Sequence, residues 1–248
     1  IIAVNGGALT SAEALDLTGT ITMTAAQYGN GTTTGLTTGA ITAAGVSDRI
    51  NISNAFTAEV GARANAVETI AFQNTGSDAI TVDTGVSTAF IGTIDITAGG
   101  ADVISVTNSG GIDDNTANGF TVVGFTTDDK LNLGMSSFQS VTTNTNLNVG
   151  NNSVIELTEG QLVNPENFAA VRTLIVSSVG NAADGAYMFL AYGGGNAYVY
   201  AANFADSNVP PNDDGAISAS AEITELELLV TLTGVAQNSL DSAHFTVV

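Results

Sequence analysis

Apolar and polar residues alternate in short runs from one end of the chain to the other. The clearest are 15–24 (LDLTGTITMT), 49–53 (RINIS), 67–73 (VETIAFQ), 79–83 (AITVD), 91–97 (IGTIDIT), 103–107 (VISVT) and 120–125 (FTVVGF). A period of two sends successive side chains to opposite faces, so each run reads as a half-buried strand. Gly, Asn, Asp or Ser bounds every run, and β-branched Thr, Val and Ile fill them, the rhythm of short strands joined by turns. Helical signals are few. Residues 164–172 (NPENFAAVR) offer a cap in Asn164, Pro165 at the first helical position, Glu166 next and Arg172 in the last turn, which predicts one short helix. Single turns are expected at 11–15 and 239–243. Gly193, Gly194 and Gly195 stand between two Tyr-containing runs and predict a hairpin turn. The expected fold class is all-β: a short-strand sandwich or a β-solenoid-like body with one short helix.

One spacing adds organisation to this pattern. An Asp stands two residues before an inward-type aliphatic at Asp48-Arg49-Ile50, Asp78-Ala79-Ile80, Asp102-Val103-Ile104 and Asp129-Lys130-Leu131, at intervals of 30, 24 and 27 residues. Gly76 and Gly100 precede two of these Asp residues by two positions. The spacing marks strand entry without forming a strict repeat. A Gly/Asp/Asn-rich loop at 108–118 (NSGGIDDNTAN) suggests a boundary. It divides a Thr/Ala/Gly-rich β domain, 1–110, from a β-sandwich-like domain, 111–248. A second long loop, 205–215 (ADSNVPPNDDG), interrupts the latter.

Charge narrows the function classes. The chain carries 24 Asp and Glu against four Lys and Arg, a net charge of −20, with one His and no Cys. Four scattered basic residues cannot displace counterions from phosphates, which excludes nucleic acid as an expected partner. No run of about 18 apolar residues is present, so no membrane insertion by a helix is expected. A chain this acidic repels itself, and a divalent cation, calcium first, is the expected cofactor.

The candidate calcium ligands are Asp78, Asp102, Asp113, Asp114, Asn115, Asp128, Asp213 and Asp214. Each has a simpler reading beside it. Asp78 and Asp102 can serve as ligands at turn entries or as Asx turns that bond their own backbone. Asp113, Asp114 and Asn115 place three oxygen-bearing side chains in one loop, which suits an ion or a solvated acidic loop equally. Asp128 sits in a turn beside Lys130, and Asp213 and Asp214 follow Pro210 and Pro211 in another turn.

Enzyme chemistry is not expected. Nucleophilic catalysis needs a base beside Ser or Cys, and the one histidine is His244. Paired carboxylates exist at Glu156 and Glu159 and at Glu222, Glu225 and Glu227. Sugar-cleaving sites usually add Trp platforms, and the chain has no Trp. Glu222, Glu225 and Glu227 read as the solvent side of a strand. Asn30, Asn51 and Asn151 stand in glycan-acceptor triplets.

Several segments carry a resemblance. Residues 120–138 (FTVVGFTTDDKLNLGMSSF) resemble the strand, acidic turn and Asp-Lys-Leu-x-Leu phrase of C-terminal regions of RTX-type proteins exported by type I secretion. Residues 195–200 (GNAYVY) and 221–235 (AEITELELLVTLTGV) are similar to later strands of that family, and 240–248 (LDSAHFTVV) to its uncleaved export signal. Residues 66–84 resemble, more weakly, the Thr/Ala/Gly-rich part of RTX-type surface-layer proteins. The resemblance implies an extracellular, cell-surface protein that forms a calcium-stabilised surface layer, filament or matrix with copies of itself. The alternative is a calcium-dependent adhesin or carbohydrate-binding module of a larger exported protein, with a cell-surface glycan as its partner. The apolar start Ile1, Ile2, Ala3 and Val4 is the candidate assembly strand, donated to a neighbour. A calcium β-roll needs tandem Gly-Gly-x-Gly-x-Asp-x-aliphatic-x repeats. Only 76–80 and 100–104 match half a copy, so a multi-turn calcium roll is not expected.

Overall fold

A computed structural model describes residues 2–3, 15–17, 20–28, 41–43, 48–60, 67–85, 90–108, 111–117, 119–143, 145–147, 150, 152–182, 184–205 and 222–246. The protein is all-β with one short helix of three turns. Two compact units divide it: Ile1–Gly110 with Phe120–Leu131, and Gly111–Gly119 with Asn132–Val248. The chain passes from unit 1 to unit 2 after Gly110, returns to unit 1 at Phe120 and leaves it again after Leu131. Residues 120–131 belong to unit 1 because they complete its stack of strands.

Unit 1 begins with β1 (Ile2–Ala3), β2 (Leu15–Leu17), β3 (Thr20–Met23), the single turn α1 (Ala25–Tyr28) and β4 (Ile41–Ala43). It continues with β5 (Arg49–Ile52), β6 (Thr57–Glu59), β7 (Thr69–Phe72), β8 (Ala79–Asp83), β9 (Thr93–Asp95), β10 (Val103–Thr107), β11 (Phe120–Val123) and β12 (Lys130–Asn132), whose last residue falls in unit 2. From β5 onward the strands alternate between two sheets. One runs β1-β3-β5-β7-β9-β11 and the other β6-β8-β10-β12. Each turn of chain lays down one strand in each sheet, and the next turn stacks on it in parallel register, which makes this unit a β-solenoid. Successive register partners Arg49, Thr69, Thr93 and Thr121 are 20, 24 and 28 residues apart.

Period-two patterning becomes a core of like upon like. Ile21, Ile50, Ile70, Ile94 and Val122 are register partners along the first sheet, each no more than 1% exposed. Ile80 pairs with Ile104 and Val82 with Val106 in the second, all buried. Parallel strands buried on one face favour such β-branched stacks, since each side chain lies about 4.8 Å from its copy above and below. Tyr28, Phe56 and Phe72 form an aromatic cluster with ring centroids 5.6 and 5.2 Å apart. The Tyr28 hydroxyl donates to the Val60 carbonyl at 2.6 Å.

Unit 2 is built differently. Its strands β13 (Ser137–Val141), β15 (Ser153–Leu157), β17 (Gly185–Gly193), β18 (Asn196–Phe204) and β19 (Ile223–Thr233) form one mixed run, with β14 (Thr145–Asn146) and β16 (Val179–Asn181) pairing separately. β13, β15 and β17 are parallel, whereas β17, β18 and β19 are antiparallel. The β17–β18 turn is the expected glycine hairpin: Gly193 pairs with Asn196, and Gly194 and Gly195 take φ of 59° and 80°, which a two-residue turn of this hand demands. The helix α2 (Phe168–Ser178) bridges β15 and β17 and buries Val171, Ile175 and Ser178, one per turn, within a core holding Ile155, Phe189, Tyr200 and Leu226.

The helix starts three residues later than its sequence signals suggested. Asn164 is spent on a local turn, accepting from the Glu166 N–H at 3.0 Å. Asn167 is the cap, its Oδ1 accepting from Ala170 N–H at 3.2 Å. The apolar spacing Phe168, Val171, Ile175 then fixes the helix over the sheet. The turn expected at 239–243 forms as a 3-10 turn at Ser242–His244 with Asp241 as its cap.

The acid ladder of unit 1

Three of the four Asp residues singled out by spacing are register equivalents. Ala79 pairs with Val103, and the backbone bonds Ala79 N to Phe56 O, Val103 N to Asp78 O and Lys130 N to Asp102 O align Phe56, Asp78, Asp102 and Asp129 across the second sheet. Each carboxylate reaches back one rung. Asp78 Oδ1 accepts from Phe56 N–H at 2.6 Å, Asp102 Oδ1 from Asp78 N–H at 2.8 Å, and Asp129 Oδ1 from Asp102 N–H at 2.9 Å. The last rung is closed locally, because Asp129 Oδ2 accepts from the N–H and hydroxyl of Thr126 at 2.7 and 2.9 Å. Asn74 steadies the first carboxylate, donating to both its oxygens. All three Asp residues are 2% exposed.

Among the described residues the same device operates once in the other sheet. Asp48 is the register equivalent of Glu68, and Glu68 Oε2 accepts from Asp48 N–H at 2.8 Å. The next equivalent is Gly92, where a Cβ would come within 2.7 Å of the Glu68 carbonyl, so no side chain can continue this ladder. Glycine also explains the Gly-x-Asp spacing of the second sheet. A Cβ at Gly100 would lie 2.2 Å from the Gly76 carbonyl, and Gly100 has φ of 142°. The turns leading into Asp78 and Asp102 therefore stack backbone on backbone.

Stacking buried carboxylates has an electrostatic cost. Burial pushes the Asp102 carboxyl up to about 6; the Asp78 N–H opposes the rise, and repulsion from Asp78 and Asp129 adds to it. Asp78 is also raised, by burial first, against the bonds from Phe56 and Asn74. On the outer face, Arg49 reaches two strands along to Asp95 at 2.7 Å. The Asp95 carboxyl is held below its usual range: burial works upward, and Thr97 and Arg49 together outweigh it.

The candidate ligands fall into separate places. Asp78 and Asp102 are brought together in the ladder with Asp129, which the choice of its neighbour Asp128 missed; Asp128 is exposed and Asp129 buried. Alternation against Leu131 carried that signal, since the buried acid is two residues before the inward aliphatic. Asp113, Asp114 and Asn115 lie in unit 2, where 113–116 runs beside β19 and Thr116 bridges Glu227. Arg172 pairs with Asp114 and donates to the Ile223 carbonyl, while Asn115 donates to Asp114 at 2.8 Å. Asp213, Asp214, Ile1 and Val4 lie outside the described residues. Ile2 and Ala3 pair within their own chain, Ile2 with Ile21 of β3.

Calcium takes six to eight oxygen ligands. The ladder's Oδ1 atoms face backbone N–H groups and Asp114 faces a guanidinium, so an ion at either place would compete with bonds already made. Among the described residues no three His, Asp or Glu side chains converge as a metal site requires. Glu156 and Glu159 of unit 2 are also engaged internally. Glu156 accepts from Tyr192 at 2.7 Å and from Ser140, and Glu159 from Thr143. Glu222 and Glu227 correct the reading of a solvent-facing row: they are 3% and 1% exposed. Glu227 is buried because the loop at 113–116 lies alongside β19 and brings it the Asp113 N–H at 3.2 Å.

No protein-family model, no curated protein and no solved structure matches this chain.

Proposed function

We propose that this is an extracellular structural protein that assembles with copies of itself into a surface layer, filament or matrix on the cell surface. The observation that carries the reading is the solenoid: short parallel strands stacked rung upon rung, with ladders of backbone and carboxylate bonds running along the stack. Such bodies are built by repetition in one dimension, and their edge strands are templates for pairing with another chain. Among the described residues, those edges in the second sheet are β6 and β12. The pairing of Ile2 and Ala3 with β3 moves the expected contact away from a donated first strand and onto such edges. Calcium enters through the net charge of −20, which repels like subunits until divalent cations screen it. Secretion by a type I pathway belongs to the same reading and rests on the resemblance of 120–138 and 240–248.

The test is particle size by light scattering and negative-stain microscopy, in millimolar calcium and then in excess chelator. Ordered sheets or filaments that disperse on chelation are the expected result. A monomer under both conditions overturns it and favours the adhesin or carbohydrate-binding module, to be sought on glycan arrays.

A further inference from the structure

Among the described residues β13 (Ser137–Val141) ends the order of paired strands in unit 2, with β15 as its one partner. Val141 turns its carbonyl to the Thr158 N–H at 3.0 Å. Peptide groups alternate in direction along a strand, so those of Phe138 and Ser140 turn the other way, to the open side. The side chains are engaged within the unit. Ser137 Oγ lies 2.6 Å from Ser153 Oγ, Ser140 donates to Glu156, and Gln139 Nε2 donates to the Asn146 carbonyl of β14 at 3.3 Å. The Phe138 ring stacks on Phe245, centroids 5.3 Å apart. What β13 offers outward is therefore its backbone.

Natural sheets protect such edges with Lys, Pro or other charged residues. This one is bare of them: residues 131–155, which carry β13, β14 and the start of β15, contain no Asp, Glu, Lys, Arg, His or Pro. The edges of the second sheet of unit 1 differ. β6 carries Glu59, and β12 opens with Lys130 directly after Asp128 and Asp129. In a chain of net charge −20 two copies repel wherever their acids face each other. An uncharged edge is where they can approach, and β13 is complementary to itself. Laid antiparallel about a two-fold axis at Gln139, Phe138 of one copy faces Ser140 of the other, and each such pair exchanges both of its N–H···O bonds. Gln139 then faces Gln139 of the second copy across the axis, as a pair without backbone bonds between them.

We propose that β13 pairs with β13 of a second copy of this chain, antiparallel and about a two-fold axis. The proposal rests on the self-assembly reading and names one contact within it.

The chain has no cysteine, so a single introduced thiol can form a disulfide only between copies. Facing residues of a pair without backbone bonds have Cα atoms about 4.5 Å apart, within the reach of a disulfide. Under mild oxidation Gln139→Cys is expected to give a disulfide-linked dimer of the full chain, and Thr107→Cys, at an exposed position of β10, to stay largely unlinked. Sedimentation equilibrium supplies a second readout. Ser140→Pro removes an outward N–H and weakens association by about tenfold or more. Ser140→Ala loses the same hydroxyl contact to Glu156, keeps the N–H and associates as the wild type does. Copies that assemble while Gln139→Cys stays unlinked overturn the pairing and leave the self-assembly reading standing, as does a folded Ser140→Pro that associates like the wild type. A chain that is monomeric at every concentration overturns both. Should Ser140→Pro lose its tyrosine dichroism and prove unfolded, the Gln139→Cys link decides alone.

Discussion

The two units bury their cores by opposite routes. Unit 1 repeats itself: Ile lies over Ile from rung to rung, and the polar residue at strand entry is again and again a carboxylate that bonds the rung before it. The described apolar layers of unit 2 stack unlike upon unlike, Val154 on Met188 and Ile155 on Phe189. Tyr187, Phe189 and Phe204 meet edge to face or tilted, with centroids 5.4 to 6.3 Å apart, under a helix whose cap, turn and register are each made by different residues. A stack of small β-branched side chains can exchange one methyl group for another with little consequence elsewhere, whereas an interlocked aromatic core cannot.

Large-to-small substitution separates them most sharply. Phe189→Ala removes a fully buried ring and is expected to cost about 3–5 kcal/mol. Ile70→Val in the solenoid stack is expected to cost about 1 kcal/mol. Four of the five tyrosines, Tyr187, Tyr192, Tyr198 and Tyr200, lie in unit 2, so near-ultraviolet tyrosine dichroism during urea unfolding reports that unit. Equal losses in the two variants would erase the distinction between repeated and interlocked cores.

A smaller effect tests how closely the solenoid turns stack. Gly100→Ala must fit a Cβ against the Gly76 carbonyl at φ of 142°, and about 3 kcal/mol of destabilisation is expected from strain and displacement together. Gly99→Ala shares a positive φ of 85° but meets open space, and about 1 kcal/mol is expected there. Thermal melts of the pair separate the two causes; the same loss at both positions would show that conformation alone matters and that the turns do not touch.

The solenoid was the more legible half. Period-two runs placed its strands closely, those at Ala79–Asp83 and Val103–Thr107 to the residue, because one buried face imposes alternation directly on the sequence. The Asp-x-aliphatic spacing located the ladder for the same reason. What it could not convey was which sheet each Asp enters: Asp48 carries the same spacing yet belongs to the other sheet, since rung length varies and no fixed repeat marks the crossing. In unit 2 the hairpin glycines were readable because φ above zero has few other causes. The helix start was not, because two Asn residues three apart both offered caps and only tertiary packing chose Asn167. Glu222 and Glu227 were misjudged because the neighbour that buries Glu227 is more than a hundred residues away in the chain. Asp78 and Asp102 suggested ligands because acidic turns suit cations, and spacing does not convey that each also has an Oδ1 bonded to a backbone N–H.

The ladder makes the solenoid the acid-favouring half, and a single amide tests this. An unfolded Asp carboxyl titrates at 3.8 and the folded Asp102 at about 6. Below pH 4 both states hold the proton and the group's contribution is fully present. Between 4 and 6 only the folded state holds it, so stability falls as pH rises, and above 6 the loss is complete. Asp78 works in the same direction. Asp95, whose carboxyl is lowered, works oppositely and loses its contribution as pH falls below the ordinary Asp range, so unit 1 should be most stable toward the lower end of pH 4 to 6. Asp102→Asn keeps an oxygen for the Asp78 N–H and removes the charge that Asp78 and Asp129 repel. It should therefore raise stability at pH 7.5 by on the order of 1 kcal/mol and lose that advantage by pH 4, where wild-type Asp102 is itself neutral. Melting curves of both proteins across that interval decide the matter. An advantage that persists unchanged to pH 4 would mean that shape, and not stacked charge, distinguishes the amide from the acid.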